Sequence, residues 1–457
     1  MKILFLSDSY MQDGSFDPFR KEVLETLSLC GTETKAVITN HFLRNNSSDL
    51  FLSQKFDHVV DTVKKFNPDI VFSMNRAGLV RPLLNVISPQ AIKISWFIDS
   101  YERVSDSLLK FSGREIVWLT GKDSYEKNFS DKYQVEQGQI ITAPFAANTD
   151  IFFPQHKERL IDGCFVGTAF SNEGFVDTLN KLCKDEEQKN ILLSAYKEHK
   201  EKYIFNIQDF LKENGFKDSL SKPRDIWQVI FDDQISIEKR VGLLSALNEF
   251  NIKIYGEPDK LWIAYLSISN SSMLEKYQYK PIKTSEDLSD LYNISKIGIN
   301  IQHHQASTHS LPIRVFDIMA CKTLLLTEKS SVNALTQIGF VENVDFVCFK
   351  DKQELRQKFD FYLNHEGERQ KIVDSAYSKT VKYHSLMVRI QNCLSQSLQS
   401  TILVSSSDPK YEIVSNLYNF RKSSLSSRSQ IFSDLKTQFP ETWEFFRLAA
   451  IRMSMLR

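Results

Sequence analysis

Short apolar runs rich in β-branched and aromatic residues recur along the first third of the chain: KILFLS (2–7), TKAVI (34–38), PDIVFSM (68–74), AIKISWF (91–97), EIVWLT (115–120) and QIITAP (139–144). Between several of them lie segments such as FRKEVLETLSLC and FDHVVDTVKKF, in which apolar residues return at helical spacing. A run that is apolar at nearly every position has no face to turn to water, so it reads as a strand covered on both sides. Alternation of such strands with one-sided helices predicts parallel βαβ units. Residues 1–150 are therefore predicted to form one Rossmann-like domain.

The pattern breaks at PFAANTDIFFPQHKERL (144–160), whose prolines and polar residues suit an interdomain linker. A second series of strand-like runs follows: GCFVGT (163–168), NIKIYG (251–256), KIGINI (296–301), KTLLLT (322–327) and VDFVCF (344–349). It predicts a second Rossmann-like domain over 151–385. A segment dense in Lys, Glu, Leu and aromatic residues, about 174–249, reads as an inserted set of helices. Residues 386–457 carry Ser-rich stretches and end in the amphipathic TWEFFRLAAIRMSMLR, which predicts a linker and a helical extension. The fold class expected is α/β: two doubly wound domains facing a cleft, with a helical insertion and a C-terminal helical extension.

Charge narrows the partners. Lys+Arg and Asp+Glu balance at 57 each, so no global field draws the chain to nucleic acid or to an anionic bilayer. The six cysteines are scattered without a CxxC pair, which suits reduced thiols in a cytoplasmic protein. MKILFLSDSY has too short an apolar stretch for a signal-peptide core and reads as the first strand, and no run approaches the length of a membrane span.

The chemistry concentrates in HHQASTHSLPIRVFDIMACKTLLLT (303–327). His303, His304 and His309 invite a metal, but neither HxxxH nor paired cysteines is present, and no metal is expected. A phosphate fits the pattern better. KIGINI ends at a polar loop, Pro312 suits the first turn of a helix, and Ser310 is placed to cap it. In an open α/β sheet that loop is where ligands bind, and a helix N-terminus there attracts an anion. Arg314 and Asp317, three residues apart, share a helix face. The first can clamp a diphosphate and the second can accept hydrogen bonds from ribose hydroxyls. An ordinary surface ion pair explains the same spacing equally well, and spacing leaves the two open. Gly167 and Thr168, at the end of GCFVGT, form a second phosphate candidate beside the plainer reading of a tight turn.

LYNISKIGINIQ…LPIRVFDIMACKTLLLTE resembles the donor-binding signature of GT-B glycosyltransferases, in particular the CgeB-like branch. FVGT (165–168), NIKIYGEPDKLW (251–262) and APFAANTDIFFP (143–154) match that branch in order and spacing, over roughly 140–385. Two departures stand out: Asp317 replaces the usual glutamate, and Lys322 replaces the usual glycine. The resemblance implies a GT-B protein whose C-terminal domain holds a nucleoside-diphosphate sugar as substrate, with no cofactor. It places Asp317 on the ribose, Arg314, Gly167 and Thr168 near the diphosphate, and Tyr255, Gly256 and Glu257 near the base. His303, His304, Gln305 and Ser307 would line the loop.

Negative charge grows on the departing diphosphate during glycosyl transfer, and without a metal it must be met by cations and fixed dipoles. An inverting enzyme needs a base from the first domain. Asp99 and Asp8 both follow strands there, and Asp99 is preferred because the CgeB-like branch often carries a tryptophan followed by an aspartate at a comparable point. Asn75 and Arg76 would reach the same crevice. The expected function is metal-independent transfer of a sugar to a glycan, lipid-linked or protein acceptor. A sugar-nucleotide epimerase of GT-B architecture and a non-catalytic assembly protein are the alternatives. The C-terminal amphipathic segment could rest on the inner face of a membrane or equally close back on the first domain, and core packing is the commoner fate of such a helix.

Overall fold

The structure, a computed structural model, describes residues 1–7, 16–31, 33–38, 53–79, 81–101, 111, 114–169, 175–202, 204, 206–217, 226–257, 259–269, 271–306 and 309–402. The chain divides into two compact units, Met1–Ile390 and Gln391–Arg457. The first unit contains two parallel sheets. β1 (Lys2–Ser7), β2 (Glu33–Ile38), β3 (Ile70–Met74), β4 (Ile92–Phe97), β5 (Glu115–Leu119) and β6 (Ile140–Thr142) lie in the order β2-β1-β3-β4-β5-β6. β7 (Ile161–Val166), β8 (Ile252–Tyr255), β9 (Ser295–Asn300), β10 (Leu324–Glu328) and β11 (Val347–Phe349) lie in the order β11-β10-β9-β7-β8. The predicted pair of doubly wound sheets is the one observed.

Strands β3, β4 and β5 are buried at every position, because helices cover both faces of a parallel sheet. In each sheet the chain winds outward in both directions from one strand pair, β1/β3 and β7/β9. Loops leaving such a pair diverge, which opens a crevice at the carboxyl ends of the strands. The candidate chemistry sits at the second of these points.

Two helical features prepare the site. Helix Pro18–Cys30 starts with proline at its first turn and the Asp17 carboxylate accepting from the Arg20 N–H at 3.1 Å, and it ends at Gly31. Its buried stripe of Arg20, Glu22, Val23, Thr26 and Leu27 carries Glu22 to the boundary with the second sheet. The residues between β7 and β8 include helices Phe175–Leu182, Glu186–Lys202, Ile207–Glu213 and Ile226–Leu244, with their own core of Leu192, Leu211, Trp227, Phe231 and Ile235.

Lys322 shows why glycine is usual at its position. Helix Arg314–Ala320 closes with the Lys322 N–H on the Met319 carbonyl at 3.2 Å and the Thr323 N–H on the Ile318 carbonyl at 3.1 Å, and Lys322 itself has φ +52°. That left-handed residue at the helix end is where glycine carries no steric penalty. Its ammonium pairs with Asp374 at 2.7 Å, with both side chains partly exposed, and such pairs add little. Lys322→Gly is expected to raise unfolding free energy by about 0.5–1 kcal/mol in urea titrations, with nucleotide affinity unchanged because the site lies at the other end of the helix.

All six cysteines are free thiols. Among the described residues no helix is long and apolar enough to cross a membrane. The C-terminal amphipathic segment, read as a membrane contact or a helix packed on the first domain, lies outside the described residues, as do Asp8 and Ser307.

Candidate functional site

Helix Arg314–Ala320 begins where the β9 loop returns to the sheet. Ile313, not Ser310, occupies the cap position, in right-handed conformation and without a side-chain cap. The Ser310 carbonyl instead accepts from the Gln302 amide at 3.2 Å. The expected serine cap is therefore corrected: the loop uses this residue to close on itself. With only seven helical residues the backbone dipole is short, and recognition falls to side chains.

Those side chains are Arg314 and Asp317. Asp317 is 1% exposed, and it forms no ion pair with Arg314. Asp317 Oδ1 and Arg314 Nε are both buried without a hydrogen-bond partner. Burial first, and the Glu22 carboxyl second, push the Asp317 carboxyl well above the usual carboxylate range. Burial likewise lowers the Arg314 guanidinium, which is half-buried 5.9 Å from the centroid of the Phe165 ring. The surface ion pair that spacing left open is excluded. A buried carboxyl and a half-buried guanidinium that do not pair, each with one buried polar atom lacking a partner, are set to meet groups from outside the chain.

A second guanidinium, missed in the sequence, joins them. Arg240 of helix Ile226–Leu244 lies fully buried over the same ring, its Cζ 5.7 Å from the Phe165 centroid. It donates to the Thr168 carbonyl through Nη1 and to the Ile301 carbonyl through Nε at 3.4 Å. Its pKa is depressed by burial and next by the charge of Arg314. Two cations held this near repel, and a diphosphate between them would remove that cost. Arg240 belongs to a stripe at helical spacing, Asp232, Asp233, Ser236, Lys239 and Arg240, and that polar face was the available signal.

Gly167 packs against Phe165: a Cβ there would lie 2.8 Å from the ring, so the missing side chain makes room for the aromatic platform beneath both guanidiniums. Beyond β7 the backbone stays zipped to the β8 exit, with the Gly167 N–H on the Tyr255 carbonyl at 2.9 Å and the Ala169 N–H on the Glu257 carbonyl at 2.7 Å. The Gly256 carbonyl accepts from the Tyr277 hydroxyl at 2.6 Å. Gly167, Thr168, Tyr255, Gly256 and Glu257 thus form one continuous edge beside the arginines.

His303 and His304 are buried against helix Ile226–Leu244. They are 5% and 7% exposed, with His303 Nε2 at 3.1 Å from Asp233 Oδ1 and the His304 N–H on Ser236 Oγ at 2.8 Å. They anchor the loop to helix Ile226–Leu244 rather than lining it. Gln305 is half-buried, its N–H 3.4 Å from His303 Nδ1.

His304 meets a possible metal trio, since ligand atoms of His199, Asp232 and His304 lie within 4.8 Å of one another. The hydrogen bonds argue against an ion. The Ile204 N–H donates to His199 Nδ1 at 2.9 Å, which places the ring proton on Nε2, 2.8 Å from Asp232 Oδ1. A metal on Nε2 would force the proton to Nδ1, against that N–H. His304 donates from Nε2 to the His199 carbonyl at 3.1 Å, and burial pushes its pKa down to about 4. The residues suit a hydrogen-bond network that closes on itself without an ion.

In the first lobe, Asp99 follows β4 and is held by Asn75, whose Nδ2 donates to Asp99 Oδ2 at 2.8 Å while its Oδ1 accepts the Ile98 and Asp99 N–H groups. Asn75 and Arg76 both have positive φ, +50° and +57°, a costly pair at the β1/β3 switch point. Arg76 does not reach the crevice. Its Nη2 lies 2.6 Å from Glu115 Oε1 with both side chains 1% exposed, and its Cζ is 4.6 Å from the Phe111 centroid. Opposite Asp317, the Glu22 carboxyl accepts from the Ser285 hydroxyl, and burial pushes it up to about 7.

Two parallel doubly wound sheets, each opening a crevice at its switch point with one carboxyl-bearing lobe beside the other, define the GT-B architecture. Residues 239–395, which begin one position before Arg240 and contain Arg314 and Asp317, match the family model described as glycosyl transferase-like. The fold is similar to that of a glycosyltransferase from Rickettsia africae ESF-5, at 14% identity over 87% of this chain and 98% of that one, with a TM-score of 0.53. Sucrose-phosphate synthase from Thermosynechococcus elongatus aligns at 9% identity over 89% and 100% of the two chains, with a TM-score of 0.53. Anabaena HepE in complex with UDP and glucose aligns at 11% identity over 88% and 100%, with a TM-score of 0.50. No curated protein sequence matches the chain.

Proposed function

We propose that the chain is a glycosyltransferase that takes a sugar from a nucleoside diphosphate and passes it to a hydroxyl acceptor. One observation carries this reading: Arg314 and Asp317 share a helix face yet do not pair, and each keeps a buried polar atom without a partner. Ribose hydroxyls donating to Asp317 would satisfy the carboxyl and lower its pKa. The diphosphate would lie against Arg314 and Arg240 over Phe165, where two guanidiniums in a dry setting stabilise the charge that grows as the sugar departs. Asp99, oriented by Asn75 in the facing lobe, is the group offered as base for an inverting transfer. The CgeB-like resemblance and the glycosyl transferase-like match support the same assignment, and no residue in it requires a metal.

Calorimetry with UDP, GDP, ADP and CDP tests it, with UDP first because the similar HepE is described with UDP. Saturable binding of one of them is expected. Silence with all of them rejects the donor site and leaves an assembly role. Release of free nucleoside diphosphate only when an acceptor is supplied separates transfer from epimerisation.

A further inference from the structure

The β9 loop is held at two ends by different parts of the molecule. Its base is pinned to helix Ile226–Leu244 through His303 on Asp233 and His304 on Ser236. Its far end meets the first lobe. The His309 ring stacks on Tyr125 with centroids 5.6 Å apart and planes 23° from parallel. The His309 carbonyl approaches Gly121 so closely that a Cβ on Gly121 would lie 2.7 Å from the oxygen. Gly121 follows β5, and Tyr125 sits in helix Ser124–Tyr133, so both belong to the lobe that does not carry the donor residues.

Tyr125 is itself fixed. Its hydroxyl accepts the Tyr101 N–H at 3.3 Å, and its ring lies 4.8 Å from that of Tyr101, within a cluster of Phe97, Leu119 and Phe129. Beyond His309 the chain runs directly through Ser310, whose carbonyl is tied back to Gln302, into the helix that begins with Arg314. A push on His309 therefore reaches the start of the donor helix five residues further on.

We propose that Tyr125 and Gly121 are positioning residues of the first lobe, which act through His309 to set the β9 loop and the Arg314 end of the donor helix. This rests on the donor-site reading for its functional meaning, although the contact itself stands without it. The bare backbone at Gly121 lets the loop dock, and the Tyr125 ring fixes its orientation. Separation of the lobes would release the loop at this end while Asp233 and Ser236 retain its base. Full donor affinity would then require both lobes.

Hydrogen exchange on the full chain tests the contact, comparing wild type with His309→Ala, Gly121→Ala, Tyr125→Ala and Tyr125→Phe. Amides of 309–316 are expected to exchange about ten-fold faster in the first three and at the wild-type rate in Tyr125→Phe, with β9 unchanged throughout. His309→Ala leaves the Tyr101–Tyr125 cluster intact, whereas a Cβ at Gly121 would also lie 3.0 Å from the Tyr125 ring, so unchanged exchange at 309–316 in His309→Ala overturns the proposal even if the Tyr125→Ala and Gly121→Ala proteins fail to fold. Pyrophosphate binding, measured in parallel, is expected to weaken about ten-fold in Tyr125→Ala and recover in Tyr125→Phe. Equal pyrophosphate affinity in all variants also overturns it. A wild type that binds neither pyrophosphate nor any nucleoside diphosphate rejects the donor reading instead, and the exchange comparison still decides whether Tyr125 and Gly121 hold the loop.

Discussion

Glu22→Gln is expected to stabilise the protein by about 3 kcal/mol at pH 8 and to leave it unchanged at pH 4. The Glu22 carboxyl is 4% exposed and pushed up to about 7 from an ordinary 4.5, chiefly by burial. Ser285 and Asn148 stabilise its charge through hydrogen bonds, whereas Glu286 and Glu25 oppose it, and burial outweighs them all. The sign follows from linkage. Below pH 4.5 the carboxyl is largely protonated whether the chain is folded or not, so it adds little pH dependence to stability. Between 4.5 and 7 the unfolded chain ionises first, so wild-type stability falls as pH rises. Above 7 both states are ionised and the loss is complete.

Glutamine keeps the shape and an acceptor for the Ser285 hydroxyl without the charge. It also removes the carboxylate that helps to raise Asp317. Urea titrations of both proteins from pH 4 to 8 measure the difference. Curves that stay parallel across this range would show that Glu22 is not desolvated, and that the lobes do not meet at this residue as described.

Arg314→Ala is expected to cost about 2–3 kcal/mol of diphosphate affinity, roughly a 30- to 150-fold rise in Kd, the size of a desolvated charge-assisted contact. Its stability effect should be small, because Arg314 makes no ion pair within the chain and its Nε lacks a partner already. That combination distinguishes a ligand contact from a structural arginine. Calorimetry with the nucleoside diphosphate that binds wild type, together with thermal unfolding of the unliganded proteins, gives both numbers. Unchanged affinity removes Arg314 from the site. A large loss of stability with unchanged affinity makes it a core residue.

The strands were legible to within three residues at either end because their signal is local. A run such as IKISWF can be buried on both faces only inside a parallel sheet, and β4 is buried at all its positions. Arg314 and Asp317 were legible as partners on one face for the same reason, since helical spacing is a local property. Their state was not. Whether a guanidinium and a carboxyl pair in water or stay apart in a dry crevice depends on what covers them, and Asp317 is covered by an interlobe boundary that includes Glu22. The histidines misled for a related reason. Loop histidines are expected to face a ligand or solvent, but the helical insert folds over His303 and His304 and supplies Asp233 and Ser236 to hold them. Arg240 was hidden because its helix reads as part of an insertion, far in sequence from the loops whose carbonyls it binds.

By itself the sequence determined the two βαβ series, the placement of the β9 loop and its helix at the carboxyl end of a strand, and the residue types able to meet a diphosphate and a ribose. These follow from periodicity and strand order, which neighbouring residues settle among themselves. Only the tertiary structure decided which of those side chains are desolvated together, which are spent on holding the insert, and which second arginine joins them. Desolvation and electrostatic coupling are set by atoms brought close through folding, and no local pattern records that proximity.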